Sequence, residues 1–222
     1  MKHYYLFKLN MKFLNLISII LLILCCGFFY LLYGNNSLTV IGIVGNSFML
    51  IYIPYLIFHE LLHSLAYVLY GADFKNITYG AHVEKGVLCC LCKQNINKRN
   101  ILHSLLYPFI IIGVLTLIIG IVVDYPVLVI LSLINISGCS GDLVMFYHLS
   151  KLDDYEFSEY NDPMGFALYT KKDFSNLKMF GLNFFEKKAN LKRDDLRKVV
   201  ISKTSILALI IFYALVCVTL FM

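Results

Sequence analysis

Between Lys12 and Asp73 the chain carries one formally charged side chain, Glu60, and it stands between two histidines in His59-Glu60-Leu61-Leu62-His63. A stretch this apolar is long enough to cross a bilayer more than once, because about 20 apolar residues suffice for one helical crossing. Ionisable groups inside it are costly unless they face a partner or a wet cavity. Any fold must therefore gather these three side chains together. On a helix, positions i and i+4 share a face. His59 and His63 can thus aim both imidazoles at one ion, and Glu60 beside them can reach a water held there. Two ligands plus a general base is the HExxH arrangement of zinc metallopeptidases. The plainer alternatives are a chance match and a polar contact between helices.

The rest of the composition agrees with a membrane setting. Mean hydropathy is +0.75, 59% of residues are hydrophobic and only 15% are charged, the profile of an integral membrane protein and not of a soluble domain. The net charge of +5 does not point to nucleic acid, because Lys and Arg cluster beside apolar segments as topology signals do. Tyr and Phe, with no Trp in the chain, are the expected interfacial anchors. Cys25, Cys26, Cys139 and Cys217 fall in apolar runs and read as small hydrophobes. Cys89, Cys90 and Cys92 cluster in a loop expected on the cytoplasmic side, where a disulfide framework is not expected. The apolar run from Phe13 to Tyr33 is too long for a signal-peptide core and no A-x-A site follows it. Leu22-Ile23-Leu24-Cys25 lacks the small residue that precedes the Cys in lipoprotein processing sites. A retained anchor is the expectation.

The expected fold is an all-α polytopic membrane protein of about five transmembrane helices, at 13–34, 38–70, 101–123, 126–150 and 200–222, with a short membrane-associated β-hairpin after the HExxH helix. Pro54 is expected to kink the second, over-long span. Lys2, Lys8 and Lys12 place the N-terminus inside. Lys75, Lys85, Lys93, Lys98 and Arg99 place the 71–100 loop inside as well, whereas the connections at 35–37 and 124–125 lack Lys and Arg and fall outside. The C-terminus then ends outside. Three regions follow: an N-terminal anchor helix (1–37), a metallopeptidase-like membrane core (38–170), and a basic amphipathic cytoplasmic segment with the last transmembrane helix (171–222). The localisation this implies is a bacterial cytoplasmic membrane.

Two polar stretches stand out. Ile77–Val83 and Gly86–Cys92 are β-like runs around a Glu84-Lys85-Gly86 turn. They read either as a hairpin that could offer an edge to an extended peptide or as an ordinary connecting loop. Residues 151–199 begin acidic and turn basic, with Phe174, Leu177, Phe180, Phe184 and Phe185 among the lysines. This suits a helix lying on an anionic leaflet, or else a solvated loop.

A catalytic zinc needs a third protein ligand and an open position. Asp142, His82, His103, His148 and Glu84 are the candidates, and Asp142 leads. It lies in an apolar span, where an unpaired carboxylate is costly. It follows Ser137-Gly138-Cys139-Ser140-Gly141, small residues that let backbones approach. Its depth also matches: at helical rise His59 and Asp142 lie roughly 16 Å and 12 Å from the inner ends of their spans. Asn135, two turns earlier on nearly the same face, could bind substrate or donate to an oxyanion, or could make an interhelical hydrogen bond.

HExxH in one span with Asp in a later one resembles the site-2 protease class of intramembrane zinc metalloproteases. The wider pattern is closer to a family of small bacterial integral membrane proteins grouped as zincin peptidases, a domain of unknown function. The residues that carry it are His59-Glu60-Leu61-Leu62-His63, Cys90-Leu91-Cys92, Pro108-Phe109, Asn135, Ser140-Gly141-Asp142 and Asn161 to Phe166. Here Gly precedes the Asp, whereas site-2 proteases place it after. The resemblance implies a three-helix catalytic core from the second, third and fourth spans. The expected function is a zinc metalloendopeptidase that hydrolyses membrane-anchored protein or peptide substrates. His59, His63 and Asp142 would be its metal ligands, Glu60 its base and Zn2+ its cofactor. The alternatives are a non-catalytic metal-binding or toxin-tolerance membrane protein and a metal transporter. Glu60 argues against both, because a binding-only site needs no base.

Overall fold

The structure is a computed structural model that describes residues 3–46, 48–82, 87–159, 165–176 and 178–190. The chain opens with a strand, β1 (His3–Leu9). Its aromatic-rich sequence suits a pleated surface, and Tyr5, Leu6 and Phe7 are all buried, so neighbours cover both of its faces. Asn10 then caps α1 (Met11–Tyr33) by accepting from the Phe13 N–H at 3.3 Å, which satisfies one of the helix's open donors. Gly34, at φ 55°, ends α1 and donates its N–H to Tyr30 O. Only glycine takes that left-handed conformation without strain.

Two helices follow, α2 (Asn36–Asn46) and α3 (Phe48–Leu69), with Pro54 inside α3. A short 3₁₀ turn (Phe74–Asn76) leads into β2 (Ile77–His82) and β3 (Val87–Cys92), which pair antiparallel from Ile77 opposite Cys92 to His82 opposite Val87. The two strands of the hairpin reading are therefore present and paired, while its expected turn at 84–86 lies outside the described residues. β4 (Ile96–Asn97) precedes α4 (Lys98–Pro108), capped by Asn97. The helix continues through a π-helical segment, Phe109–Leu115, into α5 (Thr116–Val122). Asp124, at φ 49°, turns the chain into α6 (Pro126–Gly138), which has Pro at its start, where the missing N–H is harmless. α7 (Ser140–Lys151) follows after a bend of 50°. Lys98 Nζ donates to Ser150 O and Leu152 O at the end of α7, tying the start of α4 to that helix end. The chain then forms β5 (Tyr155–Glu159), β6 (Gly165–Thr170) and β7 (Leu182–Lys188).

The all-α expectation is overturned. A five-stranded antiparallel sheet, in the order β4-β5-β6-β1-β7, stands apart from the β2-β3 hairpin. β6 is its central strand; β1 pairs with it from His3 opposite Thr170 to Lys8 opposite Gly165, and with the edge strand β7 on its other side. The physical reason lies in the spacing of apolar residues. Tyr155 and Phe157, then Phe166 and Leu168, are buried at strand period, which presents one face to the helices. Phe7 and Phe157 stack on either side of Phe166, with ring centroids 5.6 and 5.5 Å apart. Leu182–Lys188, expected in a surface helix or a solvated loop, is an edge strand.

Five membrane spans are not found either. Among the described residues two stretches are long and apolar enough to cross, Met11–Tyr33 and Lys98–Val122, and a third exists if the bent pair α6–α7 counts as one. The span expected over 38–70 is divided between α2 and α3. The span expected at 200–222 lies outside the described residues.

Two cores result. One, around Phe29, Val129 and Leu133, joins α1, α2 and α6. The other, around Phe7, Ile101, Leu149 and Leu168, joins the sheet to α4 and α7.

Candidate metal centre

His59, Glu60 and His63 sit in the second half of α3, where helical spacing puts both imidazoles on one face. Their ring orientations follow from acceptors that cannot donate. His63 Nδ1 lies 2.8 Å from Ser104 O. A carbonyl only accepts, so Nδ1 carries the proton and Nε2 presents a lone pair. His59 Nδ1 lies 2.9 Å from Asn135 Oδ1, while Asn135 Nδ2 lies 3.0 Å from Pro108 O. The Pro108 carbonyl fixes which end of the amide donates, so Oδ1 accepts from His59 and leaves its Nε2 as a lone pair as well.

Those two lone pairs converge. His59 Nε2 and His63 Nε2 are 3.2 Å apart, and Asp142 Oδ2 lies 3.5 Å from the first and 3.6 Å from the second. With both rings neutral in these tautomers, the three atoms are all acceptors, and a cation between them would relieve their repulsion. The point equidistant from the three atoms lies about 2.0 Å from each, the range of Zn–N and Zn–O bonds. The donor set of two imidazoles and one carboxylate suits zinc, so the residues present fit the ion. His59, Glu60 and His63 on one hand, and His59, Cys139 and Asp142 on the other, each bring their ligand atoms within 4.8 Å of one another.

The bend between α6 and α7 delivers Asp142. It stands in the first turn of α7, where the helix dipole favours a carboxylate. Of the small residues before it, Gly138 departs from the sequence expectation. A Cβ on Gly138 would meet nothing within 4 Å, so that glycine does not mediate close packing. The stretch instead lets the helix turn at Cys139. Ser18 Oγ on α1 donates to Ser137 O at 3.0 Å and satisfies a carbonyl at the bend. Close approach occurs at Gly113, where a Cβ would come 2.9 Å from Ile136 Cγ1 and 3.6 Å from Asn135 Nδ2. Gly113 lies in the π-helical segment and allows α6 to bring Asn135 up to Pro108 and His59.

Glu60 takes no part in the triangle of acceptors. Its Oε2 accepts from the Cys90 N–H at 2.6 Å, which fastens β3 of the hairpin to the HExxH helix. A cavity of about 470 Å³ opens beside these groups. Its walls include Leu14, Asn15 and Ser18 of α1, Tyr55 of α3, Cys89 of β3, and Phe157 and Phe166 of the sheet. α1 and β6 were not expected at the site. The polar pair Asn15 and Ser18, set in an apolar helix, was the signal available for α1.

Two other candidate ligands, His148 and His103, bond elsewhere. His148 Nε2 bonds Phe180 O at 3.0 Å and its ring packs on Phe180. His103 Nδ1 bonds Arg99 O at 2.6 Å, and its ring lies against Tyr70. His82 belongs to β2, and Glu84 lies outside the described residues.

Residues 52–155 match a family described as "Putative zincin peptidase". That stretch holds HExxH, Asn135 and Asp142, and ends at the first residue of β5. No curated protein and no solved structure matches the chain. The match points to a metallopeptidase that uses zinc, and the His59-Glu60-His63 group is compatible with it. It does not extend to site-2 proteases as such.

Proposed function

We propose that this chain is a membrane-embedded zinc metalloendopeptidase of the site-2-protease kind, cutting membrane-anchored proteins or peptides. The observation that carries the reading is the convergence of His59 Nε2, His63 Nε2 and Asp142 Oδ2 beside a carboxylate, Glu60, at an open cavity. A bound zinc ion supplies Lewis-acid polarisation of a carbonyl and activation of a water. Glu60 takes the proton of the attacking water and passes it to the leaving amine, the work of a general base turned acid. The Cys90 N–H holds one oxygen of this cavity-lining carboxylate in place.

The substrate side of the reading rests on the apolar band and the hairpin. Ile23 and Leu31 on α1 and Val122 on α5 are strongly exposed, and an apolar band of this extent is explained by lipid. A transmembrane helix has its carbonyls bonded internally, so a substrate must unwind before attack. β3 holds β2 on one edge and turns the Cys90 N–H toward Glu60, so a freed substrate strand could pair beside the base. The sheet that unites β1 with β6 and β7 would lie on the cytoplasmic side, with the lysines of 71–100, and no nucleic acid would be involved.

The experiment compares the membrane proteomes of cells carrying the wild type and Glu60→Gln, with a zinc chelator as a third arm. At least one membrane protein should accumulate uncut in the mutant and again under the chelator. Identical proteomes across several growth and stress conditions, with zinc retained in the mutant, would favour a non-catalytic metal-binding protein instead.

A further inference from the structure

We infer that Asn135 is the positioning residue that fixes His59 in its metal-binding tautomer, and that it does not bind substrate. The inference rests on the reading of His59 as a ligand and extends it to a residue on another helix. A histidine holds a metal through a ring nitrogen that bears no proton, and the partner of the other nitrogen decides which one that is. His63 has a backbone carbonyl for this purpose, Ser104 O at 2.8 Å. His59 has no such carbonyl: its Nδ1 faces Asn135 Oδ1 at 2.9 Å. An amide side chain can turn either end toward an imidazole, and the wrong end would donate to Nδ1 and drive the proton to Nε2. That would close the lone pair that faces His63 and Asp142.

The structure removes this ambiguity with two further contacts. Asn135 Nδ2 donates to Pro108 O at 3.0 Å and to Cys139 Sγ at 3.4 Å. Its two amide hydrogens are thereby engaged, and neither is left for an oxyanion. The side chain is buried, with 4% of its residue surface exposed, so water does not compete for these positions. Three local features converge on the amide. Pro108 immediately precedes the π-helical segment, Gly113 lets α6 approach, and the chain bends at Cys139.

The test measures zinc affinity in the full-length protein in mild detergent, by competition with a chromophoric chelator. It compares wild type, Asn135→Leu and Asn135→Asp. Leucine removes the acceptor, and affinity should fall roughly 10–100-fold, as for loss of other partners of metal-bound histidines. Aspartate loses the donor to Pro108 O, where its second oxygen faces that carbonyl, yet keeps an acceptor for His59 Nδ1, so it should hold zinc clearly more tightly than the leucine variant. A packing role would move both variants alike, because both lack the amide N–H. Equal loss in both, or wild-type affinity in Asn135→Leu, overturns the inference. Wild-type protein that binds no zinc would instead fail the proposed function, and the same titration shows which has failed.

Discussion

Replacing Glu60 by Gln and by Ala separates two duties that meet in one carboxylate. Gln removes the base but keeps a side-chain oxygen that can accept from the Cys90 N–H, now 2.6 Å from Oε2. Loss of general-base catalysis lowers turnover by about 10²–10⁴-fold, equivalent to roughly 2.7–5.4 kcal/mol of barrier. Ala removes the acceptor as well. The Cys90 amide, in a buried residue, then loses its partner at a cost of about 1–3 kcal/mol. That energy is drawn from the docking of β3 on α3, so the Cys90 amide should exchange hydrogen about 5–150-fold faster in Glu60→Ala than in wild type. In Glu60→Gln it should exchange at close to the wild-type rate. The assay pairs cleavage of a membrane-anchored reporter peptide in detergent with hydrogen exchange across 87–92. Cleavage above a tenth of wild type in Glu60→Gln would refute the role as base. Equal exchange at Cys90 in the Ala and Gln variants would refute the docking role.

Phe7→Ala should destabilise the sheet by about 3–5 kcal/mol, because Phe7 is buried and its ring meets both Phe166 and Phe184; chemical denaturation read on the near-UV signal would check it. Gly113→Ala should lower stability by about 1–3 kcal/mol, since its Cβ would sit 2.9 Å from Ile136 Cγ1, and should weaken zinc binding by shifting Asn135. Reporter fusions at Lys93 and Asp124 should report opposite sides, with Lys93 cytoplasmic; a cytoplasmic signal at Asp124 would mean that Lys98–Val122 does not cross.

The site was more legible in the sequence than the fold around it. HExxH fixes its own local geometry, because helical period alone puts His59 and His63 together. Asp142 was visible because a carboxylate in an apolar run needs a partner. The sheet was hidden for two reasons. Its strand β1 carries Lys8 and follows Lys2, so both lysines read as topology signals for the anchor that follows. Its partners are more than 150 residues away, and no local pattern announces such a pairing. In β7, Lys187, Lys188 and Phe185 suit a surface helix as well as an edge strand, and only pairing with β1 decides between them. The bend at Cys139 was masked because small residues in an apolar helix signal close packing as readily as a break. Asn135 was found by position, but its role turns on the Pro108 carbonyl, which sequence does not place.

Elemental analysis of the purified chain tests the central claim most directly. Wild type and Glu60→Gln should each hold one zinc per chain in mild detergent, whereas Asp142→Ala and His59→Ala, which remove corners of the triangle of acceptors, should lose most of it. A wild-type chain without zinc, or an Asp142→Ala chain with its full complement, would contradict the account.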